Sequence, residues 1–187
     1  CRKNIRRKKN KKILILGSGA LGLPIVHFCK IKKLDFIDVV DKNNKNLTLA
    51  KKFGAKRVFQ KIISKVILSN LNLNKYDYIV DTIASSEIMN KILSYNINCK
   101  IAFLGVPKKN DFIKLNSLKI NYGLKLLGSY GGDFSPEDDL LRYLSFFVKT
   151  KFNFKEYISG TYLLKDINKL VKECFPEILG LLLARTR

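Results

Sequence analysis

Short apolar runs alternate with amphipathic stretches along most of the chain. Ile13-Leu14-Ile15-Leu16 is continuous and apolar, the pattern of a strand buried on both faces of a parallel sheet. Helical spacing follows over residues 20–30. Residues 36–41 predict a second strand, residues 44–53 a helix stopped by Gly54, and Arg57-Val58-Phe59 a short third strand. Residues 61–75 read as a helix and then a loop. A fourth strand is predicted over 76–81. Ser85-Ser86-Glu87 then supplies a cap and an acidic first turn for a helix over 86–95. Residues 100–106 predict a fifth strand, closed by Pro107, and residues 124–130 a last one. Strands alternating with helices in this way predict an α/β fold, a doubly wound parallel sheet with right-handed crossovers.

After Gly131-Gly132 the pattern changes. Ser135-Pro136-Glu137-Asp138 combines a cap residue, proline at the first helical position and acids in the first turn, so a helix is expected to about Lys149. Residues 152–162 read as extended or irregular, and 165–174 as a helix. The apolar end ILGLLL, followed by ARTR, is a strand candidate. The chain therefore divides into a basic linker over 1–11, a domain over 12–132 and a C-terminal segment over 133–187.

Composition adds a few bounds. With 187 residues, 47% of them apolar, the chain can bury one sizeable core. No apolar run reaches the roughly 18–20 residues of a membrane span, and the basic start lacks the apolar stretch of a secretory signal. A cytoplasmic location without membrane contact is expected. Cys1, Cys29, Cys99 and Cys174 show no zinc-like spacing and read as free thiols in a reducing compartment. The single His27, inside a predicted helix, reads as a packed residue rather than a ligand. The net charge of +21 is spread along the chain with abundant Asn and Ile, a compositional bias rather than a patch. Only residues 2–12 are densely basic, and they carry no aromatic residue for base stacking, which argues against a nucleic-acid partner.

Candidate chemistry sits where the first strand ends. Gly17-Ser18-Gly19-Ala20-Leu21-Gly22 follows a predicted strand and opens a helix, the setting in which G-x-G-x-x-G is credible as a dinucleotide-binding turn. Gly17 permits the tight turn. Gly19 lets the backbone approach a pyrophosphate, and Gly22 lets the helix pack closely on the strand. The helix N-terminus offers unpaired N–H groups to phosphates. Asp41 stands at the end of the second strand, where an acid accepts hydrogen bonds from the adenosine ribose and repels a 2′-phosphate. NAD is therefore expected over NADP, with Lys42 and Lys45 nearby to soften that preference.

With these pieces in order, GSGALG, VVD, LAKKFGA, YDYIVDT, KIAFLGVP and LLGSYGG, the sequence resembles the zinc-dependent medium-chain alcohol dehydrogenases over nearly all of residues 12–175. The resemblance implies a Rossmann fold in which Gly17, Ser18, Gly19, Ala20, Leu21 and Gly22 hold the pyrophosphate and Asp41 the ribose. Many members carry a ribose-binding Lys five residues after the acid. Here Asn46 stands at that position, with Lys45 as the nearest substitute. Ile83 would pack near the cofactor, Leu104, Val106, Gly128 and Tyr130 would border the nicotinamide end, and Arg185 or Arg187 would meet the pyrophosphate.

The same resemblance implies a small-molecule alcohol or carbonyl substrate and a homo-oligomer formed through the edge strand. The family's zinc ligands belong mostly to a catalytic domain that precedes this fold. The chain is accordingly expected to be the cofactor-binding half of such an enzyme, without turnover by itself, with zinc confined to the other half. With that half absent, ILGLLL and Leu126-Leu127 are expected to form an exposed apolar patch. A stand-alone NAD-sensing module, or a decayed fragment without catalysis, is the competing reading. A short-chain dehydrogenase is disfavoured, because no Tyr has a Lys four residues later.

Overall fold

The structure, a computed structural model, describes residues 11–34, 36–60, 71–129, 131–150, 153–158, 161 and 163–174. Among the described residues there are six strands: β1 (Lys12–Leu16), β2 (Phe36–Asp41), β3 (Arg57–Gln60), β4 (Tyr78–Asp81), β5 (Lys100–Phe103) and β6 (Lys125–Gly128). They form one sheet in the order β3-β2-β1-β4-β5-β6, with every pairing parallel. The helices are α1 (Gly22–Ile31), α2 (Asn44–Phe53), α3 (Ser86–Ser94), α4 (Leu118–Asn121), α5 (Pro136–Thr150) and α6 (Ile167–Cys174). Two compact units divide after α5, Cys1–Thr150 and Lys151–Arg187. Among the described residues the second holds the turns Phe154–Tyr157 and Leu164–Asp166 and helix α6. Among the described residues no helix is long and apolar enough to cross a membrane.

Burial explains the continuous apolar runs. Leu14, Ile15, Ile37, Val39, Ile79 and Ile101 are completely buried, as central strands covered on both faces require. Each such side chain stabilises the fold by roughly 1.5–3 kcal/mol. On one face Leu14, Leu16, Val40, Ile79 and Ile101 join Met89, Ile92 and Leu93 of α3. Helices α1 and α2 pack on each other and on β1, β2 and β3. Helix α2 buries Leu47, Ala50 and Phe53 and ends at Gly54, whose φ of 115° is left-handed. Ser85 caps α3 by accepting the Ile88 N–H.

The strands are shorter than their apolar runs. β4 starts at Tyr78, because Tyr76 and Asp77 lie before the pairing begins. β5 ends at Phe103, where Leu104 and Gly105 both donate to the Asp81 carbonyl and turn the chain off the sheet. β6 covers 125–128 only. Likewise α1 starts at Gly22 rather than residue 20, and α6 at Ile167 after a single turn. His27 stacks on Phe53 with ring centroids 5.3 Å apart. Cys29 and Cys99 are buried free thiols, each pushed up to about 11 by burial, with the Asp77 charge adding at Cys99. On β6, Leu126 is half-buried and Leu127 exposed. Expectations for residues 61–70, the basic run up to residue 10, Tyr130, ILGLLL, Arg185 and Arg187 lie outside the described residues.

Candidate dinucleotide site at the end of the first strand

The strand order reverses between β1 and β4, since the chain runs outward through β2 and β3 on one side and through β5 and β6 on the other. Ligands of open α/β sheets bind at such a switch point, beyond the carboxyl ends of the strands. Leu16 pairs with Val40 and Asp81 there, so Gly17, Asp41 and Thr82 emerge at the same end.

The glycine turn is built for close approach. Gly17 has φ 87°, and its N–H donates to the Val40 carbonyl at 2.8 Å. A Cβ there would lie 2.5 Å from Thr82 Oγ1. A Cβ on Gly22 would lie 2.0 Å from the Gly17 carbonyl oxygen. Gly22 thus holds the start of α1 against the turn that follows β1. Gly19 is different. It is exposed, and a Cβ on it would meet nothing within 4 Å. Packing within the chain does not call for glycine there, whereas a ligand resting on the backbone would.

Helix α1 has no side-chain cap and no acid in its first turn. The N–H groups of Ala20, Leu21 and Gly22 take no partner among the described residues, so the helix N-terminus presents unpaired donors. Leu21 is exposed beside them.

Asp41 is held inward. Its Oδ2 accepts from Ser18 N–H at 2.6 Å and from the Ser18 hydroxyl at 2.8 Å, and its Oδ1 from Asn43 N–H at 2.8 Å. Burial raises the carboxyl's affinity for a proton, but hydrogen bonds from Asn43, Ser18 and Asn46 outweigh it and hold Asp41 below the usual carboxylate value. Asn46, the position of the family lysine, thus supports the acid. Lys42 and Lys45 are exposed on the loop and first turn that follow.

The remaining expected residues line the same end. Ile83 follows β4 and is exposed, Leu104 follows β5 and is half-buried, and Val106 and Gly128 are exposed. Thr82 was not singled out by sequence. Its hydroxyl donates to the Leu16 carbonyl at 2.8 Å and to the Gly17 carbonyl at 3.3 Å, stapling the glycine turn to β4. The signal was its place right after the β4 acid. Among the described residues no His, Cys, Asp and Glu side chains group to hold a metal ion.

Asp81, also at this end, accepts from Ile83 and Ala84 N–H at 3.0 and 3.1 Å, and it fixes Ala84 at φ 57°. Burial raises its pKa above the ordinary value despite these bonds. A raised carboxyl favours the fold below the unfolded value of about 4, and that contribution is lost as pH rises through the folded one. Asp81→Asn keeps an acceptor oxygen and carries no charge. Its Tm relative to wild type is expected to be higher at pH 7 than at pH 4, as a melting series across that range would read.

An all-parallel sheet of this order, with a glycine turn at its switch point and an acid ending β2, defines a Rossmann-like α/β domain. The family model for zinc-binding dehydrogenases matches residues 20–149, and the chain belongs to that family. It is 27% identical over 169 residues to alcohol dehydrogenase 1 of Pisum sativum, covering 87% of this chain and 44% of that protein. The chain thus spans less than half the length of that relative. Benzyl alcohol dehydrogenase of Acinetobacter calcoaceticus superposes with a TM-score of 0.76 at 21% identity, over 91% of this chain and 48% of that one. An Escherichia coli alcohol dehydrogenase complexed with NADH has a TM-score of 0.74 at 16% identity, over 88% and 48%. A Sinorhizobium meliloti zinc-binding dehydrogenase bound to NADP has 0.64 at 18% identity, over 77% and 43%. At these identities the structural matches establish the fold.

Proposed function

We propose that this chain binds NAD(H) and forms the cofactor-binding part of an NAD-dependent alcohol or polyol dehydrogenase. The observation that carries this reading is the open space over Gly19 beside the unpaired N–H groups of Ala20, Leu21 and Gly22. The turn from Gly17 to Gly22 receives the pyrophosphate, and Asp41, Lys42 and Lys45 serve the ribose. Ile83, Leu104, Val106 and Gly128 border the nicotinamide end. When bound, the nicotinamide exchanges a hydride with an alcohol or carbonyl substrate. The chain's own residues bind and orient the cofactor.

Zinc and substrate belong to the rest of such an enzyme. Residues 1–187 alone are expected to give no zinc-dependent alcohol oxidation, which a turnover assay with added zinc would check. The parallel sheet ends at β6, whose exposed edge supports pairing between two copies. The free buried thiols support a cytoplasmic setting.

The test is a titration with NADH and NADPH, read by nicotinamide fluorescence. Saturable NADH binding is expected. Gly19→Ala should leave Tm unchanged, because its Cβ meets nothing, while weakening NADH about tenfold or more. A folded chain that binds neither cofactor at millimolar concentration overturns the reading.

A further inference from the structure

The Asp41 carboxylate at the end of β2 is already engaged. A carboxylate offers about four acceptor positions. The Ser18 N–H and hydroxyl take two on Oδ2, and Asn43 N–H takes one on Oδ1. Ser18 is 0% exposed and Asp41 7%. Oδ2 is thereby filled, so a ribose diol that bonds to both oxygens needs a position on Oδ2 vacated. The Ser18 and Asn43 N–H donors are fixed by the backbone of the glycine turn and of the loop into α2. The Ser18 hydroxyl is a side-chain donor to the same Oδ2 and can leave by rotation.

We propose that Ser18 tunes the selectivity between NAD and NADP by holding Asp41 turned into the glycine turn, away from the ribose. This inference rests on the dinucleotide reading above. With Ser18 in place, whatever the carboxylate gains from ribose hydroxyls is offset by the hydrogen bond it gives up. Its charge, inward and shared among its donors, opposes a 2′-phosphate weakly. Lys42 and Lys45, exposed on the adjoining loop and first turn of α2, attract that phosphate. Ser18 thereby lowers the preference for NADH. Removing its hydroxyl opens an acceptor position on Oδ2 and leaves the N–H bond that anchors Asp41.

The experiment titrates the full 187-residue chain, Ser18→Ala and Ser18→Gly with NADH and with NADPH. A hydrogen bond to a charged group corresponds to roughly tenfold or more in affinity. The ratio of NADH to NADPH affinity is therefore expected to rise about tenfold in both variants, through tighter NADH binding. Adding Asp41→Ala to Ser18→Ala should abolish the gain. A general loosening of the turn would weaken both cofactors together and leave the ratio unchanged. That result, or a ratio within about twofold of wild type, overturns the proposal while the dinucleotide reading stands. Binding of neither cofactor by wild type or variants overturns both.

Discussion

Gly22→Ala should cost about 3 kcal/mol of stability, the upper part of the range for forcing atoms into a packed site. A Cβ at this position lies 2.0 Å from the Gly17 carbonyl oxygen and 2.8 Å from its carbon. Both are backbone atoms, so no flexible side chain can swing away. Gly17 cannot yield either. Its φ is 87°, its N–H is bound to Val40, and its carbonyl accepts from Thr82. The turn must open, and α1 must start differently. At about 2–4 °C per kcal/mol for a chain of this size, Tm falls by roughly 6–12 °C. NADH binding is lost with the turn. The comparison with Gly19→Ala is informative, since two glycines of one motif then separate: one variant loses the fold of the turn, the other only its ligand. Equal Tm values for the two variants would contradict this division of roles.

That division marks where sequence stops being informative. The spacing of Gly17, Gly19 and Gly22 announced a tight turn between strand and helix, because strand, turn, helix and acid are local or lie at fixed offsets. Which atom each glycine clears depends on how the turn closes, and only coordinates supply the 2.0 Å approach of Gly22 to the Gly17 carbonyl. Asp41 shows the same limit. Its place at the end of β2 was readable, but its bond to Ser18 spans 23 residues and decides which way the carboxylate faces. The elements themselves were legible where burial is one-sided or complete. Residues 44–53 match α2 because Leu47, Ala50 and Phe53 share one face and Gly54 closes it. The end of the fifth strand was overrun at residue 106, since Leu104 and Val106 stay apolar past the last ladder bond.

Asp38 was passed over for a related reason. Within Phe36–Asp41 it interrupts an apolar run, and it is 4% exposed. Its partners come from distant segments. Arg57 donates to both carboxylate oxygens, at 2.5 and 3.1 Å, and the Tyr76 hydroxyl donates at 2.6 Å. Burial, then the hydrogen bond and charge of Asp38, push the Tyr76 phenol well above its ordinary value.

Asp38→Ala is expected to cost about 3 kcal/mol, since removing one partner of a buried, charged hydrogen-bond set leaves the others unsatisfied. Arg57, with its side chain 55% exposed, can turn to water. Tyr76, 3% exposed, cannot, so most of the cost resides in its stranded hydroxyl. Tyr76→Phe alone should cost only about 1 kcal/mol. In that background Asp38→Ala should cost less than in wild type, by about 1–2 kcal/mol of coupling. Denaturant melts of the four proteins in this cycle measure the difference directly. Equal costs of Asp38→Ala in both backgrounds would place the penalty on Arg57 instead. The NADH affinity of the folded fraction should not change, because Asp38 pairs with Leu14, two residues before the β1 end that carries the glycine turn.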